Sequence, residues 1–127
     1  MATTLQNIMT TLRGANILPA AQINYGLSDN LQPPYVALDA YEFTQEYDSC
    51  KAEIRKSTFH VIVVAKDADS VQTTAQAFFA LLDTSTTLTP QTMRCYLTRY
   101  KIGQALEGNT GLYQWIVDTE WELLESL

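Results

Sequence analysis

Ser57-Thr58-Phe59-His60-Val61-Ile62-Val63-Val64-Ala65-Lys66-Asp67 is the stretch on which the fold turns. From Phe59 to Val64 nearly every position is apolar. Such a run suits a central strand covered on both faces, or covered on one face by a neighbouring subunit. Upstream the alternation changes phase: Ala52 and Ile54 are even-numbered, whereas Phe59, Val61, Val63 and Ala65 are odd-numbered. A one-residue slip turns every side chain to the other face. A bulge is therefore expected near Lys56-Ser57, within a long strand from about Cys50 to Ala65. Downstream, Asp69 with Gln72 three residues on is expected to cap a helix whose buried stripe is Val71, Ala75, Phe78 and Leu82.

Working outward, Leu5, Ile8, Met9 and Leu12 form one stripe of a helix over about 4–13. Thr3 and Gln6 have capping-box spacing, and Gly14 suits the stop. Ala21, Ile23 and Tyr25 alternate as a short strand. Pro33-Pro34 biases the chain to extended geometry ahead of a strand from about Tyr35 to Gln45, with Val36, Leu38 and Ala40 on one face. Glu46 to Ser49 reads as a turn. After Pro90, strands are expected from about Gln91 to Ile102 and Leu112 to Leu124, joined by a turn at Glu107 to Gly111. Tyr113, Trp115, Val117, Trp121 and Leu123 share one face of the last strand, and Asp118, Glu120 and Glu122 the other.

The order α-β-β-β-α-β-β predicts an α+β domain: an antiparallel sheet of four to five strands, with both helices mainly on one face. A strand of about 15 residues spans roughly 50 Å, whereas a compact domain of this size has a radius of gyration near 14 Å. The hairpin from Tyr35 to Ala65 is therefore expected to project, and its Tyr and Phe side chains then need a partner.

At 127 residues the chain is one domain by size. With 46% hydrophobic and 17% charged residues it is not a disordered chain. No apolar run approaches a membrane span, and no secretory leader is recognised. A net charge of −6 argues against gripping a phosphate backbone. Cys50 and Cys95 lack CxxC spacing and read as reduced thiols, with a single bridge left open.

Catalytic patterns are sparse. His60, the sole histidine, sits inside a strand with no second histidine to share a zinc ion. No GxSxG, GxGxxG or P-loop occurs. The row Asp118-x-Glu120-x-Glu122 could hold a hard divalent ion or raise one carboxyl by like-charge repulsion. It could equally be a solvated face, or pair across strands with Arg94, Arg99 or Lys101. No cofactor, metal or catalytic residue is expected. Trp115 and Trp121 suit the core, while the tyrosines suit a wet interface rim. The candidate interface residues are Tyr41, Phe43, Tyr47, Asp48 and Arg55 of the hairpin, with Tyr25, Tyr35 and Tyr100. The 26–34 loop and the 105–112 turn are further candidates.

The opening amphipathic helix, Pro33-Pro34-Tyr35-Val36-Ala37-Leu38 leading into the first long strand, the strand-to-helix run 57–67, the helix end Phe79-Ala80-Leu81-Leu82-Asp83 and the final hairpin through Gly111-Leu112-Tyr113-Gln114-Trp115 resemble the tail-terminator (tail-completion) proteins of tailed bacteriophages. The resemblance extends more loosely to the related neck proteins. It implies a structural, non-enzymatic protein forming a homo-oligomeric ring, usually a hexamer. The ring would cap the tail tube protein at the head-proximal end of the virion tail, after assembly in the host cytoplasm. It would stop tube growth and meet a neck or head connector protein, with genomic DNA passing through its lumen and no membrane involved. The alternatives are a neck or head-completion adaptor, a tube-like subunit, a small acidic metal- or ligand-binding domain, and a cellular oligomeric regulator.

Overall fold

The computed structural model describes residues 3–26, 32–47, 53–106 and 113–127. Helix α1 spans Thr4–Gly14 and opens on the expected reciprocal cap: Thr3 Oγ1 accepts from Gln6 N–H, and Gln6 Oε1 accepts from Thr3 N–H. A 3-10 turn at Ala20–Gln22 leads into β1, Ile23–Tyr25. Strands β2 (Tyr35–Tyr47) and β3 (Glu53–Ala65) follow, then α2 (Ala68–Leu82), β4 (Thr92–Leu106) and β5 (Tyr113–Ser126). This is the expected α+β order.

The sheet order is β1-β2-β3-β5-β4. The expectation of a wholly antiparallel sheet is corrected in one place. β1 pairs parallel with β2, Ile23 lying opposite Val36, so the sheet is mixed. Both helices lie on the same face. Ile8, Met9 and Leu12 of α1 and Val71, Ala75, Phe78 and Leu82 of α2 join Phe59, Val61, Val63, Val117, Trp121 and Leu123 in one core. A buried relay pins β5 to β3: Trp121 Nε1–H donates to Thr119 Oγ1 at 2.8 Å, and that hydroxyl donates to the Val61 carbonyl at 2.7 Å. On the helix-free face Tyr35, Ala37, Ile62 and Val64 form a second, smaller cluster. This explains the unbroken apolar run of β3, which is covered on both sides at that end.

Three further expectations change. The bulge lies in β2, not at Lys56-Ser57: Asp39 faces His60 and Glu42 faces Thr58, so Ala40 and Tyr41 together oppose Phe59. Ala40 takes φ 53°, the left-handed conformation that accommodates the extra residue. β3 itself pairs with β5 without interruption from Ile54 to Ala65. Ile54 simply faces the helix-free side. The N-cap of α2 is Asp67, whose carboxylate accepts from Ser70 N–H at 2.7 Å; Asp69 lies inside the first turn. Glu46 and Tyr47 belong to β2 and not to a turn, while Asp48, Ser49, Cys50 and the 107–112 turn lie outside the described residues.

The long β2–β3 pairing is present, but the expectation that the pair projects as a unit is corrected. β3 stays paired to β5 down to Ile54–Ser126, so the limb that leaves the core is β2. From Asp39 to Glu46 only Tyr41 is half-buried and the rest are exposed. β1 covers the outer edge of β2 only as far as Leu38.

Candidate assembly interface

The β2 bulge turns Tyr41 and Phe43 to the helical face, beside β3. Their rings lie 6.2 Å apart at 49°. The Tyr41 hydroxyl is 3.2 Å from Ser57 Oγ. The Arg55 guanidinium stacks 4.6 Å from the Phe43 ring centre, and its Nη2 donates to Gln45 Oε1 at 3.3 Å. Phe43 remains 48% exposed and the Arg55 Nε is buried without a partner, so the cluster is held in place yet incomplete. The structure thus brings together three of the sequence-selected residues: Tyr41, Phe43 and Arg55.

The others are dispersed. Tyr25 ends β1, half exposed. Tyr100 sits on the helical face of β4, half-buried against the core. Tyr35 is only 8% exposed, because β2 turns it onto Ile62 and Val64 on the helix-free face, and it has little surface left to offer. Tyr47 pairs its backbone with Glu53, and Asp48 lies outside the described residues.

The acidic row is tied down across the sheet. Glu122 meets Lys56 Nζ at 3.2 Å and accepts from the Tyr96 hydroxyl. Asp118 accepts from His60 Nδ1–H at 2.9 Å, and Glu120 lies 3.9 Å from His60 Nε2. Arg99 and Lys101 do stand opposite Glu120 and Asp118, but the close contacts run to β3 on the other side: an ion pair from Glu122 to Lys56 and a hydrogen bond from His60 to Asp118. Two of the three carboxylates, Asp118 and Glu122, therefore have a cross-strand hydrogen-bond or ion-pair partner, and Glu120 only approaches the imidazole. Among the described residues no group of three or more His, Cys, Asp and Glu side chains is placed to hold a metal ion. No described helix is long and apolar enough to cross a membrane.

What sequence reasoning missed is a pair of edges left without a neighbouring strand among the described residues. β4 is the last strand of the sheet and is exposed along most of its length, with Met93, Ile102 and Leu106 all more than a third exposed. Leu106 stands opposite Tyr113, itself 65% exposed, at the end of the β4–β5 hairpin. The outer edge of β2 past Leu38 is the second. The signal was the presence of two long strands at positions where the topology leaves no neighbour, and strand order is not written locally in the sequence.

Among solved structures, the chain superimposes on one from the virion of a native gene transfer agent particle, with a TM-score of 0.69. The fold is shared with a virion component. The match covers 93% of this chain and 91% of the virion chain at 13% identity, so what the two have in common is architecture. No protein-family model and no curated protein sequence matches the chain.

Proposed function

We propose that this protein is a structural component of a phage-like virion that works as a tail terminator. Copies of the chain close into a ring, most simply a hexamer, that caps the tail tube, ends its growth and presents a surface to the neck or head connector. The observation that carries this reading is the end-to-end fold match to a gene transfer agent virion chain. The two open sheet edges and the Tyr41-Phe43-Arg55 cluster support it, since an exposed edge and an incomplete aromatic cluster both call for a protein partner. Bond-making chemistry has no place in this role. Of the β5 carboxylates, the main alternative for such chemistry, Glu122 is paired with Lys56 and Asp118 accepts from His60.

Electron microscopy of the purified protein, alone and mixed with tail tubes, tests the reading. Discrete rings that seat on one end of each tube are expected. Filaments formed by the protein alone would instead identify a tube subunit. Rings that bind the head connector and ignore tube ends would identify a neck adaptor.

A further inference from the structure

We propose that neighbouring copies join by their sheet edges, the outer edge of β2 on one copy adding to the free edge of β4 on the next. This rests on the self-assembly reading above and specifies its contact. The two edges differ in charge. β2 carries Asp39, Glu42 and Glu46 and no base, whereas β4 carries Arg94, Arg99 and Lys101 and no acid. All six side chains are exposed and lie on the helix-free face, as their partners in the register show: Asp39 opposite His60, Glu42 opposite Thr58, Glu46 opposite Ile54, Arg94 opposite Leu124, Arg99 opposite Glu120 and Lys101 opposite Asp118. None of Asp39, Glu42, Glu46, Arg94, Arg99 and Lys101 belongs to an ion pair among the described residues, although Arg99 and Lys101 stand opposite Glu120 and Asp118 within the sheet.

Direction and spacing both match. Successive antiparallel pairings make β2 and β4 run in opposite senses within one copy. A rotation about an axis along the strands preserves those senses, so β2 meets the next copy's β4 antiparallel. Placing Asp39 opposite Lys101 then sets Glu42 opposite Arg99, Thr44 opposite Tyr96 and Glu46 opposite Arg94. Every acid faces a base.

The bulges also fit this register. Ala40 and Tyr41 face Tyr100, and Leu97 with the extra residue Thr98 faces Phe43. The aromatic cluster is thereby completed on the helical face while the charges pair on the other.

Backbone orientation agrees as well. The Leu38 carbonyl points outward to Gly26 N–H at 3.1 Å, so Asp39 turns its own backbone groups toward β3. The Cys95 carbonyl points outward to Thr84 N–H at 2.7 Å, so Arg94 and Tyr96 turn theirs toward β5. The charged residues of both edges therefore occupy the same phase and would meet at non-hydrogen-bonded positions, where cross-strand side chains approach most closely. These same contacts bound the added strand, with β1 at Leu38 on one side and Thr84 at Cys95 on the other. Glu46 reaches Arg94 by side chain alone.

Within one copy Asp39 is level with Arg99, through His60 and Glu120. Pairing with Lys101 offsets each copy by two residues, and a closed ring of tilted strands requires a stagger of this kind. Like-charged edges also disfavour β2–β2 and β4–β4 pairing, which leaves the head-to-tail contact that closes into rings.

Sedimentation velocity on the full chain decides the matter. The triple variants D39K/E42K/E46K and R94E/R99E/K101E are each expected to self-associate roughly a hundredfold more weakly than wild type. Mixing them, or combining all six changes in one chain, is expected to restore assembly, with circular dichroism checking the fold of each. The neutral changes E42Q and R99Q, singly and together, supply a cycle without reversed charge and are expected to be non-additive. Wild-type assembly that survives both reversals, or an additive cycle, overturns the edge pairing and leaves the ring standing. A wild-type chain that stays monomeric at every concentration overturns both.

Discussion

Thr4 donates its hydroxyl to Glu125 across the length of the chain, at 2.9 Å to Oε1 and 3.2 Å to Oε2. Thr89 donates to the same carboxylate at 2.9 Å, and Glu125 is only 2% exposed. One buried acid thus ties the start of α1 and the segment before β4 to the end of β5. Thr4→Val and Thr89→Val are each expected to cost about 1–3 kcal/mol, the usual loss when a buried acceptor gives up a donor. Thermal melts should show each lowering Tm by several degrees, and a double variant should be non-additive because both act on one group.

Burial and the nearby Asp83 push the Cys95 thiol from 9.0 up to about 12. In a Cys50→Ser background, Cys95 is expected to resist a thiol reagent at pH 8 in the folded protein and to react at once in urea. The raised value also sets a sign. The folded state favours the neutral thiol, so this contribution is complete below pH 9 and is lost as the pH climbs towards 12. Denaturant titrations across that window should show stability falling, and less so in Cys95→Ala.

Asp67 has its carboxyl held below the usual range, chiefly by the Ser70 backbone N–H and then by the Ser70 hydroxyl. A depressed value means that the cap supports α2 above the ordinary carboxylate range and is lost as the pH drops through the folded one. Asp67→Ala should lower Tm at pH 7 and flatten the acid limb of the stability profile. Asp69→Ala, at the position that sequence spacing favours for the cap, should change Tm much less.

The Tyr96 phenol is pushed up first by its hydrogen bond to Glu122, then by desolvation and by the charge of that carboxylate. Ultraviolet titration of phenolate should find one tyrosine ionising above the others, returning toward the ordinary range in Glu122→Gln. Loss of the shift in Lys56→Ala instead would assign it to the wrong neighbour.

Features settled by adjacent residues were legible in the sequence. The Thr3–Gln6 box, the buried stripes of both helices and the alternation of β5 all depend on contacts within a few positions. Alternation alone misplaces the bulge, because it counts Ile54 with the core set, whereas Ile54 belongs to the other face. The correct signal lay in β2, where the inward positions pass from Val36 and Leu38 to Tyr41 and Phe43. The direction of β1 was not legible, since three residues carry no mark of parallel pairing. Nor was the alignment of charges on the two edges. It depends on the extra residues at Ala40-Tyr41 and Thr98, which shift Glu42 and Arg99 onto the helix-free face. The chosen residues Tyr41, Phe43 and Arg55 do meet, whereas Tyr35, chosen for the same hydroxyl, is taken up by its own sheet.

Native mass spectrometry of the purified wild-type protein tests the central claim most directly, since a head-to-tail building block must close on itself. A single discrete oligomer, with the six-fold mass as the leading expectation and no ladder above it, is the predicted result. A spectrum of monomer alone at every concentration, or an open series of ever larger species, would contradict the account.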